Sequence, residues 1–151
     1  THGVAYVLFE GPTSLLDFGV KSVPGPVKNE RSLEFVRSYL DRCEPDVIVI
    51  ENTSDPASRR NKRIRMLHRS LHILGCTSNI DVEQYTRAEV AATFASLGAS
   101  TKHGRSRAVA SMLPALSHRL PPFRKAWMSE DRRMSLFEAA ALGLTLYRNS
   151  K

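Results

Sequence analysis

The chain has 151 residues, with 22 Lys and Arg against 15 Asp and Glu, giving a formal net charge of +7. Hydrophobic residues make up 42% and charged residues 25%, which excludes a disordered chain. The length fits one domain over residues 1–151, and a domain of this size buries roughly 70% of its unfolded surface. Two cysteines, Cys43 and Cys76, exclude a disulfide framework and a four-thiolate zinc site. No apolar run approaches membrane-spanning length and no secretory signal opens the chain, so no membrane partner is expected and the expected compartment is the cytoplasm.

Gly3–Phe9 predicts a strand rich in β-branched and aromatic residues. A turn at Gly11-Pro12-Thr13-Ser14 leads into a second strand, Leu15–Val23, which the short link makes a hairpin partner. Pro24-Gly25-Pro26 breaks that strand. Leu33, Val36, Leu40 and Cys43 recur at helical spacing and predict a helix over Ser32–Cys43, ended by Glu44-Pro45-Asp46. Val47–Ile50 is a short continuous apolar run, the signature of a strand buried on both faces.

Asp55-Pro56 offers an N-cap and a proline at the first helical position. The helix it opens places Ile64, Leu67, Leu71 and Leu74 on one stripe, with Gly75 as the stop. Asn79–Tyr85 is extended. Thr86-Arg87-Ala88-Glu89 matches a capping box before a helix carrying Val90, Phe94 and Leu97. A polar loop at Gly98–Gly104, a helix over Arg105–Leu116, an irregular His118–Met128 and a final Ala- and Leu-rich helix over Ser135–Tyr147 follow. The order predicts an α/β domain with a mixed sheet: an antiparallel hairpin, Val47–Ile50 parallel beside Gly3–Phe9, and a βαβ unit from Val47 to Tyr85.

Charge is uneven. Residues 1–51 carry five basic and eight acidic residues, a balance of −3, and residues 52–151 carry seventeen and seven, a balance of +10. One basic run holds Arg59, Arg60, Lys62, Arg63 and Arg65, with Arg69 a turn further on. The other, Thr101–Lys125, holds Lys102, Arg105, Arg107, Arg119, Arg124 and Lys125 and no acid. Two such runs point to a polyanionic partner, because every contacted phosphate releases condensed counterions. Solvated helix faces are the plain alternative.

Glu51 directly follows the buried strand, where functional groups of open α/β sheets collect, and its carboxylate suits a hard metal ion. A loop start, or an ion pair with a nearby Arg, is the plain alternative. Glu138 in Ser135-Leu136-Phe137-Glu138 reads either as a capping-box residue or as a second carboxylate ligand, and Asp131 lies seven positions earlier. Lys102, His103 and Arg105 flank Gly104 before a helix and suit phosphate. His68 and His72 are four apart on a helix and read as a surface pair. No G-x-S-x-G, G-x-G-x-x-G or Walker loop is present.

Several phrases, in order, resemble the RuvC-like Holliday-junction resolvases of the ribonuclease H-like superfamily. Thr1-His2-Gly3-Val4-Ala5-Tyr6-Val7 is similar to the start of that fold's second strand, and Glu44–Asn52 to its x-P-D-x-x-x-x-E-x strand with a metal-binding Glu. Tyr85–Val90 resembles a helix start, Gly98–Val109 the basic loop whose Lys approaches the phosphate, and Phe137–Leu142 a final helix that usually reads D-A-A-D-A-L. The family's first catalytic Asp precedes the phrase that Thr1 begins and is absent from this chain, and Ala141 stands where a second final-helix Asp would be.

The resemblance implies a ribonuclease H-like mixed sheet flanked by helices and lacking the first strand. It implies a Mg²⁺- or Mn²⁺-dependent endonuclease acting on branched DNA by two-metal hydrolysis, with Glu51 and Glu138 as metal ligands meeting across a crevice. Lys102 would then be a catalytic cation, and Arg59, Arg60, Lys62, Arg63, Lys102, Arg105 and Arg107 would contact DNA. Family resolvases act as dimers, which implies a homodimer. A non-catalytic nucleic-acid-binding module on the same fold and a domain whose basic surface meets another protein remain the alternatives.

Overall fold

The computed structural model describes residues 3–122 and 133–150; Thr1, His2, Arg124, Lys125 and Asp131 lie outside them. The element order is β1 (Gly3–Gly11), β2 (Ser14–Ser22), α1 (Lys28–Cys43), β3 (Val47–Glu51), α2 (Lys62–Thr77), β4 (Asp81–Tyr85), α3 (Arg87–Ala95), α4 (Lys102–Met112), a 3₁₀ turn (Pro114–Arg119) and α5 (Met134–Asn149). Among the described residues, no helix is long and apolar enough to cross a membrane.

β1 and β2 pair as the expected hairpin around Pro12 and Thr13, with Gly3 against Lys21 and Gly19 against Tyr6. β3 and β4 pair in parallel, from Val47 opposite Asp81 to Glu51 opposite Tyr85. The predicted βαβ unit is therefore present. The expected pairing of Val47–Ile50 with Gly3–Phe9 is corrected: among the described residues β3 bonds β4 and β1 bonds β2. Apolar run length signals burial, but it does not encode which backbone takes the hydrogen bonds.

The contacts divide the chain into two compact units, residues 1–4 with 21–87, and residues 5–20 with 88–151. In the first unit α2 packs its Ile64, Leu67 and Leu74 stripe inward. Its N-cap is Asn61, whose side-chain oxygen accepts from the Ile64 N–H at 3.0 Å. The predicted start at Asp55-Pro56 is thus corrected: Asp55 instead closes a tight turn, its carboxylate accepting from the Ala57 N–H at 3.1 Å. Gly75 does not stop the helix, which runs to Thr77. It is buried in the last turn, where any Cβ would collide with the Val82 side chain of β4 and crowd Ile48 of β3. The glycine is there so that helix and strands can approach closely.

The second unit is built on α5. Leu136, Phe137, Ala140, Ala141 and Leu144 are buried with Phe94, Val109, Leu113 and Leu116, and Val7, Phe9, Leu15 and Phe18 of the hairpin pack against that cluster. Small residues on α5 bring neighbours close: a Cβ at Gly143 would enter the Phe9 ring. The helix begins at Met134 with Arg133 in the capping position and no side-chain cap, so the Ser135–Glu138 capping box does not form. α4 starts at Lys102, three residues before the expected start, because Thr101 Oγ1 accepts from the Gly104 N–H at 2.9 Å. Lys102, His103 and Gly104 are consequently helical, not loop.

Candidate functional site

Glu51 is the last residue of β3, at the carboxyl end of the parallel pair. The ladder continues one step beyond it through Asn52 N–H to the Tyr85 carbonyl at 2.8 Å. That rung anchors the segment leading to α2. Asn52 accepts from the Ser54 N–H at 3.0 Å, Thr53 is buried, and Ser58 N–H donates to the Asp55 carbonyl at 2.9 Å. Arg65, on the first turn of α2, reaches back to donate to the Arg60 carbonyl at 3.0 Å and to the Ser58 carbonyl at 2.6 Å. The loop is thus fixed from both ends.

Its fixed shape delivers the Arg60 side chain onto Glu51. Arg60 Nε donates to Oε2 at 2.9 Å and Nη2 to Oε1 at 3.0 Å, a two-point guanidinium–carboxylate pair. The Glu51 side chain is 12% exposed and that of Arg60 26%. Burial pushes the Glu51 carboxyl upward. The hydrogen bond and charge of Arg60, joined by the charges of His68 and Arg87, outweigh it and hold the group below its ordinary value. His68 sits within 2.9 Å of the Ile64 carbonyl through Nδ1, so that nitrogen carries a proton and donates. His72 Nδ1 meets the Gln84 amide at 3.1 Å.

Of the basic run, Arg60 is thus engaged with Glu51, and Arg63 donates to Asn29 Oδ1 at 3.1 Å, tying the start of α2 to the start of α1. Arg59, Lys62, Arg65 and Arg69 are exposed. No acidic residue occupies the first turn of α2 or of α4. In the second unit Lys102 Nζ lies 3.0 Å from Glu138 Oε1, with both side chains about a third exposed. Two residues expected to share a catalytic site are therefore directly paired. Arg105 is half-buried on α4 and Arg107 exposed. Glu51 and Glu138 belong to different units. The sequence reading missed Arg87 and gave His68 no part near Glu51; both reach it only through the β3–α2–β4 packing.

A divalent ion such as Mg²⁺ wants several oxygen ligands. Glu51 offers the right atom type, but both of its oxygens already accept from Arg60. Among the described residues, no group of three or more His, Cys, Asp or Glu is positioned to hold a metal ion. As arranged, these residues do not fit the ion.

No family model matches the chain, and no curated protein matches it in sequence. Solved structures do match. Thermus thermophilus RuvC superposes with a TM-score of 0.64 at 18% identity, over 98% of this chain and 87% of that one. T. thermophilus RuvC in complex with a Holliday junction substrate superposes with a TM-score of 0.66 at 18% identity, over 98% and 89%. These matches bear out the fold expected from the sequence; at this identity they speak of fold alone.

Proposed function

Because the chain has a RuvC-like, ribonuclease H-like fold, we propose that it acts on branched DNA, gripping the phosphate backbone of a four-way junction. The observation that carries this reading is the likeness, over 98% of the chain, to a RuvC bound to a Holliday junction substrate. The charge pattern supports it. Lys62, Arg63 and Arg65 open α2, and Lys102 and Arg105 open α4, where the helix dipole is already positive. Cations there weaken a helix by about 0.3–1 kcal/mol each at exposed sites; Arg63, Arg65 and Lys102 offset this through Asn29, the Ser58 and Arg60 carbonyls and Glu138, while Lys62 stays exposed. A phosphate at the start of α2 would meet exposed Lys62 and the positive end of the helix.

The test is a binding titration on a four-way junction and on a duplex, at two salt concentrations. Junction binding that weakens steeply with salt is expected. No binding to either DNA at low salt would retire the reading in favour of a protein partner for the basic surface. Resolving a junction requires two cuts, so the reading also calls for a homodimer, to be checked by light scattering.

A second reading is phosphodiester hydrolysis, favoured by the position of an ionised Glu51 at the carboxyl end of a parallel strand. Incubation of junction DNA with the protein and Mg²⁺ tests it: nicks that disappear in Glu51→Gln would support cutting, and an intact junction would leave binding as the whole activity.

A further inference from the structure

The arrangement at the end of β3 has the components of a cation site whose cation is part of the chain. We propose that Arg60 is the resident counter-cation of Glu51 and keeps divalent metal away from it. The carboxylate has two oxygens, and Arg60 bonds both, at 2.9 and 3.0 Å. Each oxygen gives one of its lone pairs to Arg60, so a metal ion approaching either of them meets a guanidinium of like charge beside it.

Three features make this a fixed arrangement. First, the backbone of Arg60 is pinned by a different residue, since Arg65 donates to the carbonyls of Arg60 and Ser58 at 3.0 and 2.6 Å. Second, the intervening segment is shaped by its own turns at Asn52 and Asp55, with Thr53 buried. The prefolded loop therefore holds the Arg60 backbone where its side chain reaches both oxygens of Glu51. Third, positive charge continues around the pair: Arg87 and His68 also act on Glu51. One carboxylate facing both Arg60 and Arg87 is already over-neutralised, and a further double charge is repelled.

The inference bears on the hydrolytic reading, but its test reads metal and not DNA. A failure of DNA binding thus leaves it standing. The probe is Mn²⁺, followed by paramagnetic broadening of the backbone amides of Ile50, Glu51 and Asn52 in wild type, Arg60→Gln, and the double variant Arg60→Gln with Glu51→Gln. Wild type should show no Glu51-dependent broadening up to millimolar Mn²⁺. Arg60→Gln should broaden at roughly tenfold lower Mn²⁺ or less, a modest demand on the repulsion from one nearby unit charge. The double variant should lose that gain. Should Arg60→Gln fail to fold, Arg60→Lys keeps the charge without the two-point clamp and should fall between. Wild-type broadening that Glu51→Gln abolishes would overturn the proposal. So would a folded Arg60→Gln that excludes Mn²⁺ as wild type does.

Discussion

Replacing Arg60 with Ala removes the partner from a carboxylate whose side chain is only 12% exposed. Hydrogen bonds to charged groups contribute about 1.5–3 kcal/mol each, and leaving a fully buried ion without its partner costs about 3–5. Arg60 is itself 26% exposed, so water recovers part of the loss. A net destabilisation of about 2 kcal/mol at pH 7 is expected, a fall in Tm of roughly 4–8 °C for a chain of this length. The pH dependence identifies the cause. In wild type the folded Glu51 lies below its ordinary value of 4.5, so its stabilisation is present above that value and is lost as pH falls through the folded one. In the variant burial no longer meets the Arg60 pair, and the folded value rises, with His68 and Arg87 offsetting part of the rise. A charged Glu51 then destabilises at pH 7, and the cost fades once it protonates. Urea unfolding at pH 7 and near pH 3–4 should show the gap between the two proteins closing on acidification. A gap of equal size at both pH values would refute the electrostatic argument and assign the loss to packing. A gap under about 0.5 kcal/mol at pH 7 would mean that solvent screens the pair.

Gly143→Ala improves helix propensity by about 1 kcal/mol on exposed helices, yet here the new methyl meets the Phe9 ring, and overpacking costs about 1–3 kcal/mol. Thermal unfolding should show a net loss of about 1 kcal/mol, and a stabilised variant would contradict the packing. Gly75→Ala should lose a similar amount through Val82 and Ile48, read by the same assay. Arg59→Ala with Lys62→Ala, both exposed, should leave Tm within about 1 °C while weakening junction and duplex binding alike and flattening the salt slope by up to about two units; an unchanged slope would remove these side chains from the DNA.

Much of this architecture is written in local periodicity. The stripe Ile64, Leu67, Leu74 fixed the inner face of α2, and the Val47–Ile50 run located β3, because burial on one face or on two leaves a pattern in the chain itself. Caps were harder. Asp55 and Asn61 both carry a short side-chain acceptor, and such a group closes a turn or caps a helix with the same chemistry. Gly75 was misread for a related reason: a glycine near a helix end signals a left-handed cap or a close approach alike, and only the neighbouring Val82 distinguishes them. The site was half legible. A carboxylate whose own side chain is largely buried at a strand end needs a positive partner, and the basic run advertised several candidates. The choice of Arg60 depends on the turns between residues 52 and 60 and on Arg65, which no spacing rule conveys. Glu138 likewise fitted a capping box until the earlier helix start moved Ser135 inside and left the carboxylate to Lys102.

The second unit draws on two stretches far apart in the chain, residues 5–20 and 88–151. The first unit needs almost nothing beyond one continuous stretch, 21–87. During synthesis the ribosome therefore releases the hairpin, then everything the first unit requires, and only much later the helix that shelters Phe9. About 120 residues separate the end of the hairpin from the middle of α5, roughly 6–25 s of elongation at 5–20 residues per second. Over that interval the hairpin's apolar face waits without its core, and slowing or truncating translation before α5 should yield chains that a chaperone holds or that aggregate through that hairpin.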